Sequence, residues 1–386
     1  EWIETFKLRG AFGYSGRAPG VFDKLRTWSP ISGDDGSPGF TPNDVGNSKV
    51  GPERTREIEV GFDASALQAR IGLEATYFNA LTSDGLVGVT LPPSNGFLAT
   101  RTENVGELKS TGFEFQATGV LLRSDWLDWR VRGNLSFLDT EAVDLNCVKD
   151  PETGEESCEQ IGAGNKAEIR VGQPVPMNYG FKILNPGEIA DPVISTELEP
   201  IGPVFPTRLI GLSTDVNLWN SLTLGALLEH QGGHYLPNYT GYQNARRGVW
   251  VPCYDYQEAL ADYLGGNTSA LDDYPALIRG KCATNAYGGH NSDFWVEKAD
   301  FWKLRSISLT YELPSAWVSR YASRATLSLS GRNLFIWTDF GGTDPEVDDA
   351  SDRMGQVSEG AGEYGRREYY TLPPFRTFLF TLRLTF

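Results

Sequence analysis

The sequence predicts an all-β protein, an antiparallel transmembrane β-barrel with long extracellular loops. Three observations predict this class: segments in which apolar and polar residues alternate, connections that are short and long in turn, and a strongly amphipathic final strand. In that strand, 375–386, polar residues and Leu379 occupy one face. The opposite face is apolar and ends on an aromatic residue: Phe378, Phe380, Leu382, Leu384 and Phe386. Such a strand fits lipid on one side and water on the other.

Composition limits the possible functions. The chain has 386 residues, 43 glycines, 22 prolines and a formal net charge of -16, so it lacks the basic surface that nucleic acid requires. A mean hydropathy of -0.32 does not exclude a barrel, because about half of the residues in a transmembrane strand face water. The chain begins inside a predicted strand and shows no signal peptide. We therefore expect it to be the carboxy-terminal part of a longer protein.

Ten segments have the period-two alternation of a strand, with apolar residues on one side and charged or hydroxyl residues on the other. A continuous apolar run of the length that a spanning helix needs, about eighteen residues, does not occur. The predicted strands are 4–14, 56–66, 70–80, 109–121, 127–138, 207–218, 221–232, 303–313, 324–336 and 375–386.

The connections between these strands fall into two alternating classes. Those at 67–69, 122–126, 219–220 and 314–323 are short or moderate in length. Outer-membrane barrels have short periplasmic turns and longer extracellular loops, which explains this alternation. If the last residue is periplasmic, all the long, Gly- and Pro-rich connections are extracellular: 15–54, 81–108, 139–206, 233–302 and 337–374.

The four cysteines form two local pairs within long loops. Cys147 lies near Cys158, and Cys253 lies near Cys282. Local pairs in polar loops predict two disulfides formed in an oxidising compartment. Spacings of the Cys-x-x-Cys or Cys/His type, which would indicate zinc, are lacking.

Catalytic and metal-binding patterns are weak. His230 and His234 have a His-x-x-x-His spacing, but two glycines separate them, so we interpret them, and His290, as strand-end and loop residues. We predict no enzyme activity and no metal centre. The acidic stretch 344–352 and the group Asp34, Asp35 and Asp44 leave calcium binding open, although an acidic, solvated face explains them equally well.

Aromatic residues in the loop closed by Cys253 and Cys282 are the better candidates for cargo or partner contact, because rings stack on sugars and pack against proteins. The alternative is that they pack the loop itself. The candidates are Tyr235, Tyr239, Tyr242, Trp250, Tyr254 and Tyr256. Strand-end rings fit an interfacial belt: Trp302, Tyr311 and Trp337. Charged residues predicted to face the lumen are Glu57, Glu59, Glu114, Arg130 and Arg132.

Four segments also resemble sequence blocks of the SusC/RagA-type TonB-dependent transporters of the outer membrane. In the first, Ser110 stands where asparagine is usual. The segments occur in the family's order: Asn104–Phe115, Val171–Lys182, Phe294–Pro314 and Ser330–Glu346.

The resemblance implies a barrel of about twenty-two strands around an amino-terminal plug, of which this chain supplies the carboxy-terminal ten or so. It implies import of oligosaccharide or peptide, driven by TonB acting on a plug that lies outside this chain. The implied partners are outer-membrane lipid, a SusD-like surface lipoprotein and the barrel-assembly machinery, and no nucleic acid.

Three other functions stay open. A siderophore or vitamin receptor would share the barrel but lack the lipoprotein partner. A surface-assembly or adhesion protein would use the barrel as an anchor and its acidic loops as the contact surface. A soluble β-sandwich lectin explains neither the final strand nor the alternating loop lengths.

Overall fold

One antiparallel sheet of ten strands forms the body of the chain. The computed structural model describes residues 2–90, 100–151, 154, 156–158, 160–164, 167–283, 293–347 and 366–386. Each inner strand of the sheet pairs with the sheet strands before and after it, and the first and last pair on one side, so sheet order and chain order are the same. The strands are β1 (Ile3–Arg17), β2 (Glu53–Ala66), β3 (Ile71–Thr90), β4 (Thr100–Arg123), β5 (Leu127–Asp144), β6 (Arg208–Leu218), β7 (Leu222–Gly232), β8 (Phe301–Glu312), β9 (Arg324–Thr338) and β10 (Thr377–Thr385).

All ten predicted strands are confirmed, but one predicted loop is wrong. The segment 81–108 was expected to be a long loop, whereas β3 and β4 continue as a paired hairpin up to Thr90 and Thr100. Val87 and Val105, in this extension, are buried against residues of the connection after β5, such as Leu145 and Val204. This packing stabilises strand structure in a segment whose glycines and asparagine predicted a loop.

The register gives the sheet one apolar and one polar face, because directly paired residues on neighbouring strands share a face. One row crosses six strands with apolar side chains: Phe380, Leu329, Leu309, Leu224, Val216 and Trp129. The adjacent row is polar: Thr381, Ser328, Thr310, Thr223, Asn217 and Asp128. The two-sided pattern predicted for the last strand therefore extends across the sheet.

A bulge interrupts this regular pattern near the long-loop end of β8. The register with both neighbouring strands shifts between Leu304 and Ser306. Arg305 lies in the bulge itself and forms an ion pair with Glu229 of β7 at 2.5 Å, on the polar face. Lys303, just beyond the shift, lies opposite Glu229 on the same face. A bulge re-aims side chains in this way because two residues oppose one.

The two ends of the sheet differ in their connections. At one end, tight turns contain non-glycine residues with positive φ, including Trp219 and Asn220 in the two-residue turn between β6 and β7. The connection from β8 to β9 at this end holds a short helix, Ser315–Val318. Exposed aromatic residues cluster here: Trp2, Trp126, Trp219, Trp317 and Tyr321.

At the other end, the long connections carry their own structure. The helices are α1 (Tyr239–Arg246), α2 (Tyr254–Leu264) and α3 (Ala276–Cys282), with 3₁₀ turns at Val251–Cys253 and Asp293–Trp295. A four-stranded sheet consists of Ile161–Gly164, Ala167–Ile169, Met177–Gly180 and Glu199–Pro203. The two-stranded pairs are Thr27–Ser32 with Pro38–Asp44, Val148–Lys149 with Glu156–Ser157, and Tyr235–Pro237 with Val296–Lys298. None of the helices in the described residues combines the length and the apolar character needed to cross a membrane.

The first long connection, between β1 and β2, projects as a hairpin. Its strands, Thr27–Ser32 and Pro38–Asp44, pair with each other and form a separate two-stranded sheet. The base is tied to the main sheet by Asn47, whose side-chain amide donates to the carbonyl of Thr102 at 3.0 Å. The hairpin is therefore held to the sheet at its base, while its tip is exposed.

Candidate functional site: the loop assembly and the polar face

Three of the long connections pack into one body, here called the loop assembly and made of the described residues within 145–207, 233–300 and 339–376. The amide of Ala276 donates to the carbonyl of Glu188 at 2.8 Å. This bond joins the first connection of the assembly, within 145–207, to the second, within 233–300. The amide of Tyr239 donates to the carbonyl of Glu368 at 2.9 Å, which joins the second to the third. Contacts between segments so distant in sequence give the long-loop end of the sheet a fixed shape.

Two disulfides lie in this assembly. Cys147 is bonded to Cys158 and Cys253 to Cys282, the two pairs that the sequence predicts. The second joins the 3₁₀ turn before α2 to the end of α3, across 29 residues. Both of its cysteines are buried among the rings of the loop core. A covalent bridge here restricts the unfolded states of this connection.

A hydrophobic core holds the helices of the second connection together. Tyr242 and Tyr256 are each only 4% exposed and belong to this core with Phe294 and Trp295. The rings of Tyr242 and Trp295 meet edge to face at 6.2 Å between centroids. Tyr256 packs in the same manner against Tyr274, at 5.4 Å. These rings contribute their area to loop packing.

The structure places the six candidate aromatic residues in different surroundings. Tyr242 and Tyr256 are enclosed in the loop core, which favours the interpretation that these two rings pack the loop itself. Tyr235, Tyr239 and Trp250 are partly exposed. Tyr254 is 46% exposed and is the candidate ring most available for contact.

Glu368 fastens the third connection to α1, a role that sequence reasoning missed. Its carboxylate accepts hydrogen bonds from the hydroxyls of Thr240 at 2.9 Å and Thr343 at 3.0 Å. Its amide donates to the carbonyl of Pro237 at 2.9 Å. The residue is fully buried, and burial raises the pKa of its carboxyl above the usual value, against the lowering effect of these hydroxyls. A single glutamate in a polar stretch gives no sequence signal for contacts more than a hundred residues away.

A second fastening joins the third connection to the polar face. The ammonium of Lys303, whose side chain is 4% exposed, pairs with Asp344 at 2.7 Å and Glu346 at 2.6 Å. Arg305 hydrogen-bonds both oxygens of the same Glu346 carboxylate. Burial alone would raise the pKa of Glu346, but hydrogen bonds from Arg305 and Lys303 outweigh it and lower that pKa to about 2. These charges therefore hold the connection that follows β9 against β8.

The first part of the acidic stretch takes part in ion pairs. Asp344 and Glu346 already have cationic partners, so they are not free oxygen ligands. Residues 348–352 lie outside the described part of the chain. Near the start, Asp35 accepts from the hydroxyl of Ser37 and Asp44 from the amide of Gly46, as in ordinary turns. Among the described residues, groups of three or more His, Cys, Asp or Glu side chains placed to hold a metal do not occur.

The histidines occupy different environments. His230 lies near the end of β7, where its ring stacks on Trp302 at 4.7 Å and its Nδ1 lies 2.7 Å from the carbonyl of Phe301. His234 follows in the loop and is completely buried. Burial, together with the nearby charge of Arg366, lowers the pKa of His234 to about 4, so this ring is neutral at pH 7. His290 lies outside the described residues.

The charged residues predicted for the lumen all lie on the polar face. In the sheet register, Glu57 and Glu59 lie directly opposite Ala80 and Phe78 of β3, and Glu114 lies opposite Thr76. Arg130 of β5 lies opposite Asp215 of β6 in the register and forms an ion pair with Asp128 at 2.8 Å. Arg132 pairs with Ser213. Most of these side chains are well exposed, so this face has the hydrated, charged character of a channel wall.

A ten-stranded antiparallel sheet with an apolar outer face, a polar inner face and structured loops at one end defines the wall of an outer-membrane barrel. The family described as "TonB dependent receptor-like, beta-barrel" matches residues 1–334. The chain belongs to this family, and its type is that of SusC and RagA. Proteins of the family reside in the outer membrane of Gram-negative bacteria, so the tight turns are periplasmic and the loop assembly is extracellular.

Individual relatives agree with this assignment. The chain is 26% identical over 427 residues to TonB-dependent receptor P26 of Formosa agariphila, covering 99% of the chain and 40% of the relative. It is 24% identical over 318 residues to TonB-dependent receptor SusC of Bacteroides thetaiotaomicron, covering 78% and 30%. A structure of the RagAB peptide transporter superposes on the whole chain, and on 41% of its own chain, with a TM-score of 0.70 at 18% identity, which shows a shared fold. The chain thus spans about two fifths of these proteins or less.

Proposed function

We propose that this chain forms the carboxy-terminal wall and extracellular loops of a TonB-dependent importer of oligosaccharide or peptide cargo. The observation that carries the proposal is the polar, charged face that leads from the periplasmic turns to a folded loop assembly. A hydrated wall suits a path for polar cargo, and structured loops suit its recognition. The likeness to SusC and to the RagAB peptide transporter supports this function over a siderophore receptor.

The proposal includes several partners. A SusD-like surface lipoprotein would deliver cargo to the loop assembly, and TonB would act through the plug of the full-length protein. Insertion of the sheet would depend on the barrel-assembly machinery, and its apolar face would contact outer-membrane lipid. We also propose that the whole chain, 1–386, is a single part of one barrel.

Tyr254 is the residue that we place at the cargo or lipoprotein surface. It begins α2 next to the Cys253–Cys282 bridge, so its backbone is well supported while its ring is open to solvent. Tyr235, Tyr239 and Trp250 are less exposed than Tyr254. An exposed ring on a rigid support loses little conformational entropy when it binds.

Uptake by the full-length protein tests this function. A strain that lacks the gene is complemented with the wild-type gene and grown on oligosaccharide mixtures or peptide mixtures as the sole nutrient. We expect complementation to restore growth on one of these two classes, and only when TonB is intact. A requirement limited to iron-poor medium would instead support the siderophore function. Loss of surface attachment without any growth defect would support the adhesion function.

A further inference from the structure

An exposed ring on the third connection of the loop assembly is fixed in a strained conformation. Tyr370 is 46% exposed, and its φ of +48° lies in the left-handed region, which is unfavourable for a bulky residue. Its amide donates to the hydroxyl of Thr240 at 2.6 Å. Its own hydroxyl accepts from the guanidinium of Arg247 at 2.6 Å and donates to the side chain of Asn244 at 2.9 Å. Backbone strain of this kind persists only where the surroundings determine it, and it occurs often at sites that bind ligands.

The guanidinium beside this ring has no carboxylate partner among the described residues. Several cations of the loop assembly form ion pairs, as Arg279 does with Asp191 at 3.3 Å. Arg247 and the neighbouring Arg246 are both exposed and form no such pair within the described part of the chain. Acidic residues outnumber basic ones in this chain by 50 to 34, so two adjacent cations without a partner form a local site suited to an external anion. A guanidinium matches the planar geometry of a carboxylate and can donate two hydrogen bonds to it.

Helix α2 brings a second exposed ring to the same surface. Gly248 follows Arg247, and a Cβ at Gly248 would lie 4.0 Å from the side-chain oxygen of Gln257. Tyr254 lies three residues before Gln257, so the two side chains are neighbours on one side of α2. The end of α1 at Arg247 therefore adjoins both Tyr370 and the side of α2 that carries Tyr254. These four residues, Arg247, Tyr254, Gln257 and Tyr370, are here called the tyrosine–arginine surface.

We propose that the tyrosine–arginine surface binds an acidic oligosaccharide, one whose sugar rings carry carboxylates. This inference rests on the proposed import function and names the class of its cargo. A pyranose ring has flat faces of C–H groups, which pack against an exposed tyrosine ring. The guanidinium of Arg247 binds a sugar carboxylate, and the side-chain amide of Gln257 binds hydroxyls. Two exposed rings on an open surface suit a chain of repeating sugars, whereas peptides are usually bound along a free strand edge or in a groove.

Three variants of the full-length protein test this surface. Arg247→Gln removes the positive charge but keeps a side chain that can hydrogen-bond Tyr370. Tyr370→Gly removes the ring and accepts the positive φ without steric cost, so the loop keeps its backbone conformation. Lys149→Gln is the matched control, because Lys149 is exposed, lies in a separate pair of strands and changes the net charge by the same amount. Thermal unfolding checks that each variant is folded.

Binding is measured by isothermal titration calorimetry on the purified full-length protein. The probes are oligogalacturonate and oligomannuronate, each compared with the same oligosaccharide after its carboxyl groups have been reduced to alcohols. We expect the wild type and Lys149→Gln to bind one acidic probe about tenfold more tightly than its reduced form, because a hydrogen bond to a charged group contributes about that much. Arg247→Gln should lose this preference. Tyr370→Gly should bind both forms of that probe about tenfold more weakly, because the stacking ring is gone.

Equal binding of an acidic probe by the wild type, Arg247→Gln and Tyr370→Gly would overturn the proposal, because the contact between Tyr370 and Arg247 would then only fasten the loop. A wild type that binds the acidic and reduced forms equally, or binds neither acidic probe, would overturn it as well. Binding of tetraglutamate in place of the sugars would assign the surface to acidic peptides instead. Failure of the import function is seen separately, as a gene that restores growth on neither class of nutrient.

Discussion

Lys303 is one of the residues that attach the last long loop to the sheet. It lies just past the bulge of β8, and its ammonium is enclosed by the carboxylates of Asp344 and Glu346. Because Arg305 and Glu229 extend this network, two cations face three carboxylates in one cluster. Such a cluster is sensitive to the loss of one member, since the remaining charges stay buried without a partner.

Lys303→Met should release the loop that follows β9. The substitution keeps most of the side-chain volume but leaves two partly buried carboxylates without the ammonium, which costs about 3–5 kcal/mol for a buried pair. Hydrogen exchange of residues 339–347 in the purified full-length protein measures the loss of protection. Lys298→Met is the control: Lys298 is largely exposed and its pair with Asp300 should contribute less than about 1 kcal/mol. Equal effects of the two substitutions would contradict the role given to Lys303.

Protonation of Glu346 should loosen the same loop in acid. Its pKa in the folded protein is about 2, below its usual value of 4.5. A group with a depressed folded-state pKa stabilises the fold above its unfolded-state pKa, and this contribution is lost as the pH falls towards the folded-state value. The hydrogen-exchange protection of residues 339–347 should therefore be constant above about pH 5 and should decline between about pH 4.5 and pH 2. Glu346→Gln should remove much of the pH dependence of this protection. An unchanged pH profile of protection in that variant would contradict the attribution of the acid effect to Glu346.

At the scale of elements, the strands were predictable and the structured loops were not. Period-two alternation located all ten strands of the sheet, because lipid on one side and water on the other impose it on each of them. The boundary between lipid and water does not impose this alternation on the loop-side end of the β3–β4 hairpin. That end is stabilised by packing against Leu145 and Val204, which are distant in sequence. A weak helical signal was present in α2, where Tyr256 and Leu260 are four residues apart.

The loop aromatics should separate into structural and contact residues on substitution. Tyr242→Ala removes a buried ring from the loop core and should destabilise the loop assembly by about 3–5 kcal/mol. Tyr254→Ala removes an exposed ring, so stability should change by less than about 1 kcal/mol while cargo or lipoprotein binding weakens. Thermal unfolding and binding to the full-length protein measure the two effects. If Tyr254→Ala binds as well as the wild type, Tyr254 is not a contact residue.

Within the described part of the chain, the whole sheet has two unpaired edges, β1 and β10, which do not pair with each other. In hydrocarbon, unpaired backbone groups cost several kcal/mol each, so an open sheet of this kind requires further strands. The resemblance to larger barrels predicts such open edges, because it implies more strands than the ten of this sheet. Which loops pack together could not be derived in the same way, since Glu368 and Lys303 act through partners far away in sequence.

Residues 1–386 produced alone should fail to form a compact barrel. Exposed strand edges favour pairing between copies or aggregation. Heat-modifiable mobility on gels, combined with the mass in detergent, distinguishes a compact monomer from oligomers, and the full-length protein serves as the control. A compact, heat-modifiable monomer of the 386-residue chain would contradict this expectation.

The hairpin between β1 and β2 has a practical consequence for work on living cells. Its turn, Gly33–Gly36, is exposed, and the backbone bonds of the turn stay within the hairpin, as where the amide of Gly33 donates to the carbonyl of Ser37 at 2.8 Å. Exposed turns of this kind tolerate inserted sequence well. A short epitope placed between Asp34 and Asp35 should therefore be displayed on intact bacteria, where an antibody against it can count copies of the protein and follow their turnover.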